Sequence, residues 1–375
     1  MIIPCSLYRR SIRNIMNNQE FFTDSPIHPG EHLKDTLDEL GLTQVELAAR
    51  IGLARKVVNE IIQGKAPIST STAIGLERIL KVPAHIWINL QRQYDLNVAW
   101  LEERKQAENE ISLLSHFPIK KMQDYGWIEK GASRAQLVTI LRDFLNVSSL
   151  NNISDTLAVQ FRQTPRGNIS HESIYCWIRR GENVAKAIET KLFDKKQLIN
   201  SLASLRDLTR TGPDVFQDRM RQICAGSGVA VALVPELPNT HINGATFWLE
   251  NRTKAVVLLS LRFKTNDHFW FSFFHELGHI LLHNNKSKFI DFTTQEENST
   301  NQQQEEQANR FAADLLISPD LWQQFCQNGQ FTKRRVFQFS ESIHIAPGIV
   351  VGRLQWEGLV PYRNLNDLKE RYYWK

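Results

Sequence analysis

The sequence predicts a mainly α-helical protein that carries one small β-sheet. Short segments with helical periodicity alternate with tight glycine-containing breaks from Pro26 to about residue 105. Amphipathic stretches at 135–145 and 182–205 extend the helical pattern through the middle of the chain. Runs rich in β-branched residues, which are typical of strands, follow at 229–234, 245–249 and 255–261.

A length of 375 residues is sufficient for several domains, each with its own core. We predict four segments in chain order. They are a flexible tail at 1–25, an all-α domain at 26–105, a helical middle region at 106–212 and an α+β domain at 213–375. The middle region contains no motif with a recognisable chemistry.

The composition restricts the compartment and the partners. A net charge of +5 and a pI near 8.9 permit nucleic acid as a partner without requiring it. The four cysteines are far apart and form no C-x-x-C pair, which favours a reducing cytoplasm. Arg9, Arg10 and Arg13 stand where a secretory signal would be apolar, and no apolar run is long enough to span a membrane. We therefore predict a cytoplasmic protein with no membrane partner.

Residues 43–64 contain two short helices joined by a tight turn. Thr43 and Glu46 have the spacing of a capping box at the start of the first helix, and Gly52 provides the turn. The second helix, 54–63, has an apolar face toward the core. Polar and basic residues lie on its other face or just after it: Arg55, Lys56, Asn59 and Lys65. This arrangement describes a helix-turn-helix domain that binds DNA, and the alternative is a packing module with a solvated charged face.

Three short sequences in this domain resemble the HigA-type antitoxins, whose DNA-binding domains are of the Xre class. They are His28-Pro29-Gly30-Glu31, the stretch 42–48 and Ile61-Ile62-Gln63-Gly64-Lys65. The resemblance covers about residues 26–101 and implies a homodimer on double-stranded operator DNA. It implies that Gln44 contacts a phosphate and that Arg55, Lys56 and Asn59 reach the groove. The chain departs from the family at Ala54, where Ser or Thr is usual.

The apolar run 273–283 carries the pattern H-E-x-x-H. His275 and His279 are four residues apart, so both project from one face of a helix and can bind one metal ion. Glu276 is adjacent, where it could act as a general base. The alternative is a solvated helix that happens to contain two histidines. The apolar flanks favour the metal site, because they would bury the helix and buried histidines need partners.

A zinc site needs a third protein ligand. His283 is unsuitable, because it lies about 12 Å from His275 along the axis of an unbroken helix. Glu305 is the better candidate, since it lies three residues before Ala308 at the edge of an apolar helical stripe. Asn309 shares the face of Glu305 and could hydrogen-bond a metal ligand. The alternative interpretation of Glu305 is an exposed acid in a Gln- and Glu-rich stretch.

These two segments resemble the ImmA/IrrE family of zinc metallopeptidases, and the similarity extends over about residues 229–316. The resemblance implies a zincin-like α+β domain with one Zn2+ per chain, bound by His275, His279 and Glu305. It also implies that Glu276 is the catalytic base. Gln307 stands where the family often has a further acidic residue, which leaves Glu306 as an alternative ligand.

Two further expectations concern the approach to this site. Residues 254–261 are predicted to form a sheet edge that pairs with an extended substrate backbone. The polar segment 286–304 is predicted to be a mobile loop over the cleft.

The combined motifs predict a DNA-binding transcriptional regulator fused to a zinc-dependent endopeptidase. Its protein partner would be a repressor-type substrate or a toxin. The alternative is a toxin–antitoxin repressor whose metal domain senses zinc or binds a partner and cleaves nothing.

Overall fold

The computed structural model describes residues 24–153, 169–283, 289–292, 299–327 and 329–374. The flexible tail predicted at 1–25 therefore lies almost entirely outside the described residues. The chain folds into two compact units. One unit extends to Ser112 and includes Ser133–Val138, and the other comprises Leu113–Ala132 and the chain from Thr139 onward.

The described part of the N-terminal unit is helical. Its helices are α1 (Pro29–Glu39), α2 (Gln44–Ile51), α3 (Arg55–Ile62), α4 (Thr70–Leu80) and α5 (Ala84–Asn109). Leu33, Leu47, Val58, Ile61 and Trp87 are at most 2% exposed and form the centre of its core. Burial of these apolar side chains is the main driving force for folding of the unit.

The helix ends follow the sequence signals. The hydroxyl of Thr43 accepts a hydrogen bond from the backbone of Glu46, whose carboxylate accepts one from the backbone of Thr43. Gly52 ends α2 with a left-handed conformation at φ 75°. Ala54 precedes α3 without a side-chain cap, so the departure from the family pattern leaves this helix start without that hydrogen bond.

His28 and Gly30 explain why the first motif begins helix α1. The Nδ1 atom of His28 caps α1 by accepting a 2.9 Å hydrogen bond from the backbone N–H of Gly30. A Cβ atom on Gly30 would lie 1.9 Å from the carbonyl oxygen of Ile61. Glycine at this position therefore allows the start of α1 to approach the end of α3.

The second unit contains the remaining helices and a four-stranded sheet. The helices described in it are α6 (Ile119–Asp124), α7 (Arg134–Leu145, which begins in the first unit), α8 (His171–Lys186), α9 (Lys195–Asp207), α10 (Pro213–Gly226), α11 (Asn266–Leu282), α12 (Ser299–Leu316), α13 (Pro319–Cys326), α14 (Lys333–Ser342) and α15 (Pro347–Trp356). The strands are β1 (Val229–Leu233), β2 (Ile242–Leu249), β3 (Lys254–Leu259) and β4 (Phe289–Phe292). The sheet order is β1-β3-β2-β4, with β1 parallel to β3 and β2 antiparallel to both β3 and β4.

Both faces of the sheet are covered by helices. Val257 on β3 joins the core that includes Phe273 and Leu277 of α11. On α8, a Cβ atom added to Gly181 would lie 2.3 Å from Leu258, the next residue of β3. Successive residues of a strand point to opposite faces, so α11 and α8 cover opposite sides. This explains why all six residues of β3 are buried.

Four sequence predictions are wrong. Strand β3 is not a sheet edge, because it lies between β1 and β2. The segment 286–304 is not one loop, because it contains β4 and the start of α12. The stretch 182–205 is not one helix, because α8 ends at Lys186 and α9 begins at Lys195. Residues 106–212 do not form a unit apart from 213–375, because α8 packs on the sheet.

The prediction of a mainly helical protein with a small sheet is confirmed. None of the helices within the described ranges combines the length and the apolar character that crossing a bilayer requires.

Candidate functional sites

Helix α11 carries the two motif histidines into the core of the second unit. Phe273, Phe274 and Leu277 have no exposed surface and pack among the apolar residues beneath the helix. The side chains of His275 and His279 are consequently buried as well, at 2% and 1% exposure. Burial of two unsatisfied imidazoles would be costly, which favours a site where they share a ligand.

Three potential metal ligands converge on α11. The Nε2 atoms of His275 and His279 are 3.0 Å apart. The two carboxylate oxygens of Glu305 lie 3.2 Å from His275 Nε2 and 3.4 Å from His279 Nε2. These ligand atoms all lie within 4.8 Å of one another, and they form the only such group of three or more among the residues that the structure describes. Glu306, the alternative ligand, is exposed and outside the group.

A glycine brings Glu305 to the histidines. Gly278 lies on α11 between the two motif histidines, where α12 crosses. A Cβ atom on Gly278 would lie 3.1 Å from the ring of Phe311 and 3.2 Å from Cα of Ala308. The absence of this atom allows α12 to approach α11 closely enough for Glu305, one turn before Ala308, to reach the site.

Two hydrogen-bonding contacts close to Glu305 connect α12 to α11. The Oδ1 atom of Asn309 lies 2.9 Å from Nδ1 of His275, where it can accept the ring N–H and leave Nε2 directed at Glu305. His283 lies 3.1 Å from the carbonyl oxygen of Gln304 through its Nε2 atom. It does not belong to the group of three ligands.

The electrostatics of the site suit a cation. Burial lowers the pKa of His279, although the carboxylate of Glu305 opposes this shift. Burial would raise the pKa of Glu305, but hydrogen bonds from His275 and His279 outweigh it and lower that pKa to about 2. Glu305 is thus ionised and His279 neutral at pH 7, which are the forms that bind metal.

Glu276 lies on the side of α11 that faces strand β2. Its carboxylate accepts a hydrogen bond from the hydroxyl of Thr246, and its side chain has no exposed surface. A Cβ atom on Gly244 would lie 2.4 Å from Oε1 of Glu276. Thr246 and Gly244 therefore fix the position of this carboxylate. Sequence reasoning missed both, although the Gly-x-Thr spacing on one face of a strand was a possible signal.

The residues predicted to contact DNA lie on α2, on α3 and in the turn after α3. They are Gln44, Arg55, Lys56, Asn59 and Lys65. The Nζ atom of Lys56 lies 3.8 Å from a carboxylate oxygen of Glu60, so part of the positive charge is offset within the helix. Asn59 accepts a 3.3 Å hydrogen bond from the side chain of Gln63. Arg55, Lys56 and Lys65 are exposed, and their role at DNA stays a prediction.

Comparisons with known proteins match the two regions separately. A family model described as an IrrE N-terminal-like domain matches residues 230–340, and one described as a helix-turn-helix matches residues 33–87. Virulence-associated protein I of Dichelobacter nodosus is 38% identical over 90 residues, which are 24% of this chain and 82% of that protein.

Two solved structures are similar over a short part of the chain. The Pseudomonas aeruginosa antitoxin HigA, solved with the higBA promoter, is 38% identical, and the match covers 23% of this chain and 95% of that one with a TM-score of 0.22. An addiction module antidote protein of the HigA family from Coxiella burnetii is 32% identical, covering 23% and 94% with a TM-score of 0.22. The two family-model matches confirm the helix-turn-helix and IrrE-like resemblances that the sequence suggested. Residues 230–340 match the family model of an IrrE N-terminal-like domain, and the chain belongs to the helix-turn-helix family through residues 33–87.

Proposed function

We propose that this chain is a DNA-binding regulator joined to a zinc-dependent endopeptidase that cleaves a repressor-type or partner protein. The observation that carries the enzymatic half is the convergence of His275, His279 and Glu305 within 4.8 Å. The buried, hydrogen-bonded Glu276 on the same helix supplies a candidate base. Membership of the helix-turn-helix family supports the other half.

The donor set fits one zinc ion per chain. Two imidazoles and one carboxylate match the ligands of catalytic zinc sites, which keep a further position open for reactants. When bound, the ion would supply Lewis-acid polarisation of a peptide carbonyl and would lower the pKa of water. The low pKa of Glu305 supports the same assignment, because its carboxylate is already ionised at pH 7.

The protein residues have distinct proposed roles. Glu276 takes a proton from the attacking water and returns it to the leaving amine. Thr246 orients the carboxylate of Glu276, and Asn309 orients the ring of His275. These contacts reduce the motion of the reacting groups, which favours a productive geometry.

The substrate backbone would pair with β4, in place of the edge that the sequence predicted. Among the described strands, β4 ends the sheet, next to the part of β2 that holds Glu276. An extended peptide can add to such an edge through backbone hydrogen bonds. A proline at position 291 should then reduce cleavage while zinc content is unchanged, and unaltered cleavage would remove this part of the proposal.

The test of the enzyme compares the wild type with Glu276→Gln at matched zinc content. The amide keeps the shape and the hydrogen bond to Thr246 but cannot accept the proton. Cleavage of candidate repressors, and of the chain itself, should fall by about 100-fold or more. Equal cleavage by the two proteins would refute the peptidase assignment.

The DNA-binding half is proposed to act in the cytoplasm as a homodimer on a pseudo-palindromic operator. Arg55→Ala combined with Lys56→Ala should abolish retardation of operator DNA at moderate salt, because two exposed cations near the phosphates are lost. Circular dichroism should show an unchanged helix content. Specific binding by the double variant would contradict the assignment of α3 to the groove.

One observation favours a second function, that of an antitoxin or repressor whose metal domain cleaves nothing. The side chain of Glu276 has no exposed surface among the described residues, so the attacking water would reach its carboxylate only after a rearrangement. In that case the metal domain would sense zinc or bind a toxin. Zinc binding does not separate the two functions, because a peptidase and a non-cleaving metal domain would both bind zinc. The comparison of cleavage by the wild type and by Glu276→Gln does separate them.

A further inference from the structure

The carboxyl-terminal half of α12 is firmly attached to its surroundings. Arg206 donates a 3.0 Å hydrogen bond through Nε to the carbonyl oxygen of Leu316, and Arg353 donates a 2.8 Å bond to that of Ile317. These two guanidinium groups satisfy carbonyls that a helix end leaves without partners. Closer to the start of the same helix, Ala308 packs against Gly278 of α11. The helix is therefore fixed from its end back to Ala308.

Glu305 lies beyond that fixed part, one turn closer to the helix start. Gln304 is the residue before Glu305, and its carbonyl oxygen lies 3.1 Å from the Nε2 atom of His283. A carbonyl oxygen can only accept, so Nε2 of His283 carries the hydrogen and donates it. His283 is itself held, because its backbone N–H donates to the carbonyl of His279 at 3.2 Å and its side chain is buried.

This hydrogen bond joins the end of α11 to the residue before the third ligand. The chain between the two partners runs through residues 284–303, so the bond connects parts of the molecule that are distant in sequence. On the other side of Glu305, Asn309 contacts the ring of His275. Glu305 is thus bracketed by two side-chain contacts between α11 and α12.

We infer that His283 is a positioning residue that holds Glu305 at the metal site and is not a metal ligand. The inference rests on the proposed zinc site and extends it to a residue outside the ligand group. The bond to Gln304 uses the Nε2 atom, and the orientation that this bond gives the ring keeps it out of the group formed by His275, His279 and Glu305.

The test measures zinc affinity of the full chain by competition with a chromophoric chelator, which requires no peptide substrate. His283→Ala removes the donor, so the dissociation constant for zinc should rise by about 10- to 100-fold, the usual cost of losing a residue that orients a ligand. His283→Gln should restore most of the affinity, because the amide nitrogen of glutamine can occupy nearly the same position as Nε2. His268→Gln is the matched control, since it makes the same change at an exposed position near the start of α11.

A second measurement separates positioning from ligation and from misfolding. X-ray absorption of the zinc-loaded wild type and of His283→Gln should give two imidazole ligands in both. Thermal unfolding of the zinc-free proteins should show that His283→Gln keeps the fold.

Two outcomes would count against the assignment of His283, and a third would count against the zinc site itself. Wild-type zinc affinity in His283→Ala would overturn it, and so would three imidazoles in the wild type that fall to two in His283→Gln. A wild-type chain that binds no zinc would instead refute the proposed zinc site, on which the inference depends.

Discussion

At the scale of single residues, the sites depend on side chains whose roles the motifs do not state. The spacing of His275 and His279 is local, so the sequence predicts their shared face directly. The approach of Glu276 to Thr246 and Gly244 depends on which strand packs against α11, which local spacing does not contain. The role of His28 is also absent from local spacing. This residue belongs to a recognised motif, but only its contact with Gly30 shows that it caps a helix.

The capping role of His28 predicts a pH dependence in the N-terminal unit. Burial lowers the pKa of His28, although the carboxylates of Asp95 and Glu31 oppose this shift. The unfolded chain, whose histidine has an ordinary pKa of about 6.5, therefore binds a proton at a higher pH than the folded chain does. The stability that neutral His28 contributes is present above pH 6.5 and is lost as the pH falls below this value. The free energy of unfolding falls by no more than about 1.4 kcal/mol per pH unit.

Hydrogen exchange of the α1 amides in the full chain at pH 7.5 and pH 5.5 provides the measurement, after correction for intrinsic exchange rates. Protection of α1 should fall at pH 5.5. In His28→Asn the side-chain oxygen can still cap the helix but does not titrate. The pH effect on α1 should therefore be smaller in this variant, and an equal effect in both proteins would show that another group is responsible.

At the scale of elements, the sequence predicts most helices but not how the strands are ordered. The helix predicted between Thr43 and Gly52 matches α2 closely, and the apolar run predicted at 273–283 covers the later part of α11, which begins at Asn266. Strand order depends on contacts that are distant in sequence, and β4 has only four residues in a polar stretch. Residues 255–259 of β3 form a continuous apolar run, because helices cover both faces of the strand. Such a run indicates a central strand, and this signal was available in the sequence.

The close crossing of α11 and α12 predicts the effect of Gly278→Ala. Alanine would favour the helix by about 1 kcal/mol, but its Cβ atom would press on Ala308 and Phe311 at 3.2 Å and 3.1 Å. Relief of this contact moves α12, and Glu305 with it, away from the histidines. Zinc affinity should fall by about 10-fold while helix content is unchanged.

Gly226→Ala is the control for this variant. Gly226 ends α10, where the nearest atom to an added Cβ is 3.8 Å away, so alanine fits without displacement. Its zinc affinity should equal that of the wild type. If Gly278→Ala also binds zinc as tightly as the wild type, the spacing of the two helices does not limit the site.

At the scale of the whole molecule, the two compact units contain different proposed functions. The predicted DNA contacts Gln44 to Lys65 lie in one unit, and the metal-binding group and its supporting residues lie in the other. The sequence predicted the helix-turn-helix in the first of these units, which the family model matches at residues 33–87, because its motifs are local. It separated α8 from the second unit, because a helix that covers a sheet carries no motif of its own.

This division predicts that zinc stabilises one unit and not the other. An ion that binds only the folded protein contributes about 2.7 kcal/mol when its free concentration is 100 times the dissociation constant. Removal of zinc by a chelator should therefore speed hydrogen exchange in α11 and α12, which carry the three ligands, and in β1–β3, which pack with α11 in one core. The amides of α1–α5 should keep their exchange rates, because none of the three ligands lies in that unit. Glu305→Gln, which lacks a ligand charge, should show little response to the chelator anywhere. A change in α1–α5 as large as that in α11 would mean that metal binding reaches the DNA-binding unit, and a regulator that responds directly to zinc would then be the better description.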